Sequence, residues 1–351
     1  MRMTALTVLL LGTAVAAQPA ARPLAPTTVT FAKPNAVLGE VCADLSKAAG
    51  VPIEVPPTLL KAKCGVTFKA VPFWEALDSA ARASDARLVL ADGGRKVQLA
   101  PRGKARDVSA TSGAFRVVAQ TVTGRALLEL GTTVHEVQLL AHWEPRMRVY
   151  RIDTAPKVSE AIDANGVKLD VSGGGGEVLP SDSTSELRVR LGGLTRGSER
   201  IKTLAGEFKV VAAEQLVALD FDASAKLPAK DERGGLVAVL KRFEKKDDVW
   251  EVAIDVTYPE GQPTFQSFQG EWWLRDNRLV LRDPKGKVHV LSDYEVPAPE
   301  FRPLSVVYRF KEDKAAGLVN PTAKGWRAVY ETPGPLREVT VPFELKDVPI
   351  P

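Results

Sequence analysis

The sequence predicts a multidomain chain, a small α+β N-terminal domain followed by two all-β Ig-like sandwiches. Three observations predict it. Helical and strand periodicities alternate up to about residue 102. Strand patterns separated by turn-rich gaps fill the remainder. Two polar stretches without periodicity, 103–113 and 223–235, divide the zones. With 351 residues, 45% hydrophobic and 26% charged, the composition is that of globular domains with real cores.

The chain opens Met-Arg-Met-Thr and continues with a short apolar run from Ala5 to Val15 and small residues at Ala16-Ala17. One early Arg, an apolar stretch shorter than the ~20 residues of a membrane span and a small-residue end predict a cleavable signal peptide at 1–17. No Cys follows the run, and charged residues break every later apolar stretch. The expectation is therefore an exported chain, periplasmic or extracellular, with no transmembrane segment after cleavage.

In the first zone, 25–102, Val29 to Phe31 reads as a strand and Asn35 as the N-cap of a helix. Val37, Leu38, Val41, Cys42, Leu45 and Ala48 recur at helical spacing until Gly50 stops them. Val51 to Val55 and Gly65 to Ala70 read as strands. Pro72 suits the first turn of a second helix faced by Phe73, Leu77 and Ala80. Arg87 to Ala91 and Lys96 to Ala100 flank Asp92-Gly93-Gly94, a hairpin signal.

That order of elements, with Leu45-Ser-Lys-Ala-Ala-Gly-Val-Pro-Ile, Val66-Thr-Phe-Lys-Ala-Val-Pro-Phe-Trp-Glu-Ala-Leu-Asp and Arg87-Leu-Val-Leu, resembles the secretin and TonB short N-terminal domain. The likeness covers about the first quarter of the mature chain and is a packing signature. It implies a small α+β module that docks other envelope proteins or its own copies. No barrel pattern follows, so the chain resembles neither a whole secretin nor a whole receptor.

Residues 103–113 read as a linker. A first sandwich is expected at 114–222, with strands at Phe115–Val122, Val134–Trp143, Arg148–Asp153, Val167–Val171, Glu186–Leu191, Glu207–Ala212 and Leu216–Phe221. A second linker at 223–235 leads to a second sandwich at 236–351. There Trp250 to Tyr258 and Val339 to Leu345 alternate strictly, and Pro342 marks its strand as an edge or a bulge.

Candidate chemistry is sparse. Cys42 and Cys64 are the two cysteines of the chain. An oxidising compartment permits a disulfide between them, stabilising the domain by about 3 kcal/mol, and two free structural thiols are the alternative. His135 and His142 fall on opposite faces of one strand, so they and His289 do not form a metal set. Gly173 to Gly176 lacks the Lys-Ser/Thr of a phosphate loop and reads as a hairpin tip. Asp220 and Asp222 are two apart, too few oxygens for calcium by themselves. Phe268, Trp272 and Trp273, with Phe265 nearby and Trp326 and Tyr330 further on, form a candidate binding platform. Adjacent Trp side chains point to opposite faces of a strand, so one of the pair either stacks on a glycan or packs at an edge.

Basic and acidic residues nearly balance, 47 against 43, which gives no electrostatic case for a nucleic-acid partner. No nucleophile elbow, metal motif or cofactor motif is present. The expectation is a non-catalytic envelope protein, with no cofactor, that binds an envelope protein or its own copies through the N-terminal domain. Glycan or cell-wall binding through the last domain is the alternative, and an enzyme with a site between domains is a third reading.

Overall fold

The computed structural model describes residues 25–129, 131–194, 197–213, 216–259, 277–298, 303–334 and 336–350. The expected leader at 1–17, and Phe265, Phe268, Trp272 and Trp273, lie outside the described residues. The structure is mostly β, with two α-helices and several sheets.

Both helices lie in the first zone. β1 (Thr28–Lys33) pairs antiparallel with β3 (Val66–Pro72), while β2 (Ile53–Glu54), β4 (Ala86–Ala91) and β5 (Lys96–Pro101) form a three-stranded sheet. α1 (Leu38–Ala49) buries Leu38, Val41, Cys42 and Leu45, and α2 (Phe73–Ala83) buries Phe73, Trp74, Leu77 and Ala80 in the same core. α1 begins later than expected: its N-cap is Val37, and Asn35 belongs to the preceding turn. Gly50 ends it at φ 66°, a left-handed position that glycine occupies without strain. Pro72 caps α2 instead of entering its first turn.

Two sheets enclose the next core. One has the order β11 (Asp170–Ser172), β13 (Thr184–Gly192), β8 (Thr132–Trp143), β7 (Phe115–Leu127), β6 (Ser109–Ser112). In the other, β14 (Arg200–Ala213) pairs along one edge with β10 (Lys157–Asp163) and β9 (Arg148–Asp153), and β12 (Glu177–Val178) joins β9. Leu139, Trp143, Leu187, Leu204 and Phe208 meet between the sheets. The stretch 103–113 is not a free linker, because it contributes edge strand β6.

The next two sheets share a second core, in which Leu219, Leu240, Ile254, Leu281, Tyr308 and Tyr330 are fully or almost fully buried. The first sheet orders β15 (Leu216–Asp222), β23 (Arg327–Pro333), β19 (Arg278–Arg282) and β20 (Val288–Val290). The second orders β16 (Ala229–Arg233), β17 (Leu236–Lys246), β18 (Val249–Thr257), β22 (Leu304–Lys311) and β21 (Asp293–Ala298). Here too the expected linker, 223–235, contains a paired strand, β16.

The last strand departs most from expectation. β24 (Leu336–Pro349) does not join the sheets that precede it; it runs antiparallel along the whole of β14, from Arg200 opposite Pro349 to Ala213 opposite Leu336. β15 and β23 carry the same register onward, from Leu216 opposite Pro333 to Asp222 opposite Arg327. One long two-stranded ribbon therefore runs through both cores, and the chain between its strands builds the second. Val341, Phe343, Leu345 and Val348 complete the first core, while Leu216–Phe221, expected in the first sandwich, packs in the second. Pro342 and Pro349 are tolerated because β24 is an edge strand.

Truncating a side chain near the C-terminus should thus unfold a core whose other strands lie more than a hundred residues earlier. Leu345 is fully buried, and Leu345→Ala is expected to cost about 2–5 kcal/mol in denaturant titration. Hydrogen exchange should accelerate in β8 and β13 before β17 and β18.

Candidate functional site

The structure brings buried Asp78, Arg116 and Glu144 to a seam between the helical zone and the outer face of the β7–β8 sheet. On α2, Trp74 and Asp78 are one turn apart on one side of the helix, where Trp74 also belongs to the helical core. On β7, Phe115 and Val117 enter the sheet core, so Arg116 points to the opposite face and meets α2. His142, opposite Arg116 in register on β8, shares that face.

Arg116 is 2% exposed and Asp78 4%. Nε of Arg116 donates to both Asp78 oxygens at 3.0 and 3.1 Å, and its Nη2 donates to both Asp107 oxygens at 2.9 Å. One guanidinium thus holds a carboxylate from each side of the seam, the fork geometry that suits Arg and not Lys. Burial pushes the Asp78 carboxyl up, and the Arg116 charge opposes that shift. Trp74 is fully buried and donates from Nε1 to the Ala114 carbonyl at 3.0 Å.

Two further contacts close the seam. Glu144, fully buried, accepts from the Thr27 amide at 2.9 Å and from its hydroxyl at 2.5 Å, while Arg146 donates to Glu144 at 2.7 Å. At the tip of the β4–β5 hairpin, the Gly93 carbonyl accepts from the Ser183 amide at 2.8 Å. Gly93 has φ 63°, and a Cβ there would fall 2.2 Å from the Asp182 side chain, so the close approach requires glycine.

His142 is a further titratable group at the seam. Burial, reinforced by the nearby Arg116 charge, lowers its pKa to about 3. Its Nδ1 has no hydrogen-bond partner among the described residues, so the ring is held neutral. Opposite Arg116 in register, His142 lies on the other face of β8 from Leu139 and Ala141 and is buried there.

The other candidates stay apart. Cys42 and Cys64 are both buried and both free thiols, so the expected bridge is not formed. Cys64 Sγ donates to the Ala80 carbonyl at 3.6 Å, and burial pushes the Cys42 thiol up to about 12, which keeps it protonated. His135 lies beside Gly124, and His289 packs on Trp326 with ring centroids 5.2 Å apart and stands 3.8 Å from Asp283. Asp220 accepts from Arg327 and Asp222 from Ser224. Among the described residues no group of three or more His, Cys, Asp or Glu is arranged to hold a metal. Trp326 and Tyr330 are buried in the second core and offer no platform.

A second polar cluster escaped the sequence reading. Asn277 Oδ1 accepts from Thr332 at 2.6 Å and Tyr258 at 3.0 Å, and Asn277 and Thr332 are fully buried. Burial raises the Tyr258 and Tyr330 phenols, so they act as neutral hydrogen-bond donors. A groove of about 680 Å³ lies on the first sheet pair, with Ser112, Lys157, Ser159, Glu207 and Glu344 along it. The signal for the seam was Asp78 on the apolar face of α2; sequence could not supply its partner.

Breaking the buried pair from one side leaves an uncompensated charge, so Arg116→Ala should destabilise by about 3–5 kcal/mol in chemical denaturation. Replacing Asp78 and Arg116 together by Leu should recover most of that loss. For His142, a folded pKa below the unfolded value means that the unfolded chain binds the extra proton. Its contribution is complete above about 6.5, is lost as pH falls, and levels off near 3. His142→Leu should flatten the acid limb of the stability profile by up to about 1.4 kcal/mol per pH unit. An unchanged acid limb would show that other groups govern it.

Among the described residues no helix is long and apolar enough to cross a membrane. No family model, no curated protein and no solved structure matches the chain.

Proposed function

We propose that this is a non-catalytic protein exported to the periplasm or cell envelope. Its N-terminal α+β domain, of the secretin and TonB short N-terminal type, docks other envelope proteins or its own copies, and Ig-like sandwiches serve as spacer and interaction modules. The observation that supports the reading is the seam. Trp74 and the Asp78–Arg116–Asp107 cluster fix α2 to the sheet face, which holds the domain in one orientation and leaves the outer face of α1, with Glu40, Ala43 and Lys47, open to solvent. A buried charge cluster contributes orientation more than net stability, which suits a module that presents a surface.

Expression of the full chain in a Gram-negative host should yield an extracytoplasmic protein beginning at Gln18, checked by fractionation and N-terminal sequencing. Cross-linking of that protein in envelope fractions of its source organism should capture a partner or a second copy, and Ala43→Arg with Lys47→Glu should abolish the capture. A cytoplasmic product that keeps residues 1–17, or capture indifferent to the α1 substitutions, would overturn the reading.

A further inference from the structure

Beyond Ala119, β7 leaves the cover of its neighbours. β6 pairs only with Phe115 to Val118, and the Ala119 amide donates to the Val108 carbonyl. From Thr121 to Leu127 the inner edge of β7 pairs with β8, whose far edge is taken by β13. The outer edge from Gln120 to Leu127 has no strand against it among the described residues, and every residue along it is exposed except half-buried Val122. Edge strands are ordinarily guarded by Pro, Lys or shortness. β24 carries Pro342, Lys346 and Pro349, and β11 and β12 have three and two residues. The β7 edge, Gln-Thr-Val-Thr-Gly-Arg-Ala-Leu, has neither Pro nor Lys, and it ends at an apolar tip where Leu128 is 89% exposed.

A receptor for that tip lies at the base of the same edge. A groove of about 310 Å³ is lined by Arg106, Val108, Ala119, Val122, Val348 and Ile350. We propose that the β7 edge pairs with the β7 edge of a second copy of this chain, antiparallel about a two-fold axis near Thr123, so that the Leu127–Leu128 tip of each copy enters the groove of the other. A two-fold contact uses the same patch twice, and this patch contains both tip and groove. Pairing centred on Thr123 sets Gln120 opposite Ala126 and brings the tip to Ala119, at the groove. The two Arg125 side chains stay about 13 Å apart along the strands, which avoids repulsion. Exposed Glu129, next to the tip, approaches Arg106 of the other copy, and neither has an ion-pair partner within its own chain among the described residues. The contact uses none of the exposed α1 residues Glu40, Ala43 and Lys47, so its substitutions can be tested independently of the docking function.

Sedimentation of the full mature chain over a concentration series tests this. A concentration-dependent dimer is expected. Gly124→Pro, which removes an outward-facing edge donor next to the two-fold while the Thr123 amide stays in the ladder with β8, and Leu128→Lys should each weaken it about tenfold or more with unchanged circular dichroism. Arg106→Glu should weaken it similarly, and adding Glu129→Arg to that variant should restore it. The α1 substitutions Ala43→Arg and Lys47→Glu should leave it intact. A monomer up to about 100 μM, a dimer indifferent to Gly124→Pro and Leu128→Lys, or failure of the charge swap to restore association would overturn the proposal, the last by removing its register.

Discussion

The antiparallel ribbon formed by β14 and β15 against β23 and β24 is the constraint on which the rest of the structure depends. Its register does not slip between the Arg200–Pro349 pair and the Asp222–Arg327 pair. A one-residue slip would carry every side chain of β24 to the opposite face, expelling Phe343 and Leu345 from the first core. The second core hangs from the same ladder, since Leu219 and Phe221 enter it from β15 and Ala328 and Tyr330 from β23. Two cores built on strand pairs that keep one register, β14 with β24 and β15 with β23, cannot form their sheets independently. The sequence separation across this ladder also carries a large loop-closure cost before its contacts repay it.

The seam is a second, smaller constraint with different physics. Two carboxylates on one buried guanidinium are costly to desolvate, and a neutral imidazole beside them has to remain neutral. Such a cluster specifies orientation because each member has few acceptable positions: Asp78 must come from α2, Arg116 from the outer face of β7, and Asp107 from the segment just before β6. Trp74 adds apolar burial and a directed hydrogen bond to the same contact. The result couples the helical zone to the sheet without a covalent link. The thiols contribute as small buried hydrophobes in the adjoining core.

Much of the local structure was legible in the sequence. The 3.6-residue spacing of Leu38, Val41, Cys42 and Leu45, and the two-residue alternation of Leu187 to Leu191 and Trp250 to Val256, fixed element type because each element buries one face and exposes the other. Gly50 as a helix stop, the Asp92-Gly93-Gly94 turn and Pro342 at an edge followed from backbone sterics alone. The two supposed linkers failed because short edge strands such as β6 and β16 bury little and so leave little apolar periodicity to read. The burial of Arg116 and His142 was not legible for a related reason: alternation tells which face a residue occupies, and says nothing of what covers that face.

Pairing partners belong to the tertiary structure. The alternating row from Val339 to Leu345 determined that a half-buried strand exists near the C-terminus; only the folded chain decided that it lies on β14 and not in the sheets immediately before it. Likewise Asp78 was visibly polar on an apolar helix face, but its neutralisation depended on a guanidinium thirty-eight residues away. Periodicity is a local property of the chain, set by backbone geometry. Which edge a strand joins, and which charge meets which, depend on long-range closure and on the desolvation energies of groups that sequence does not place side by side.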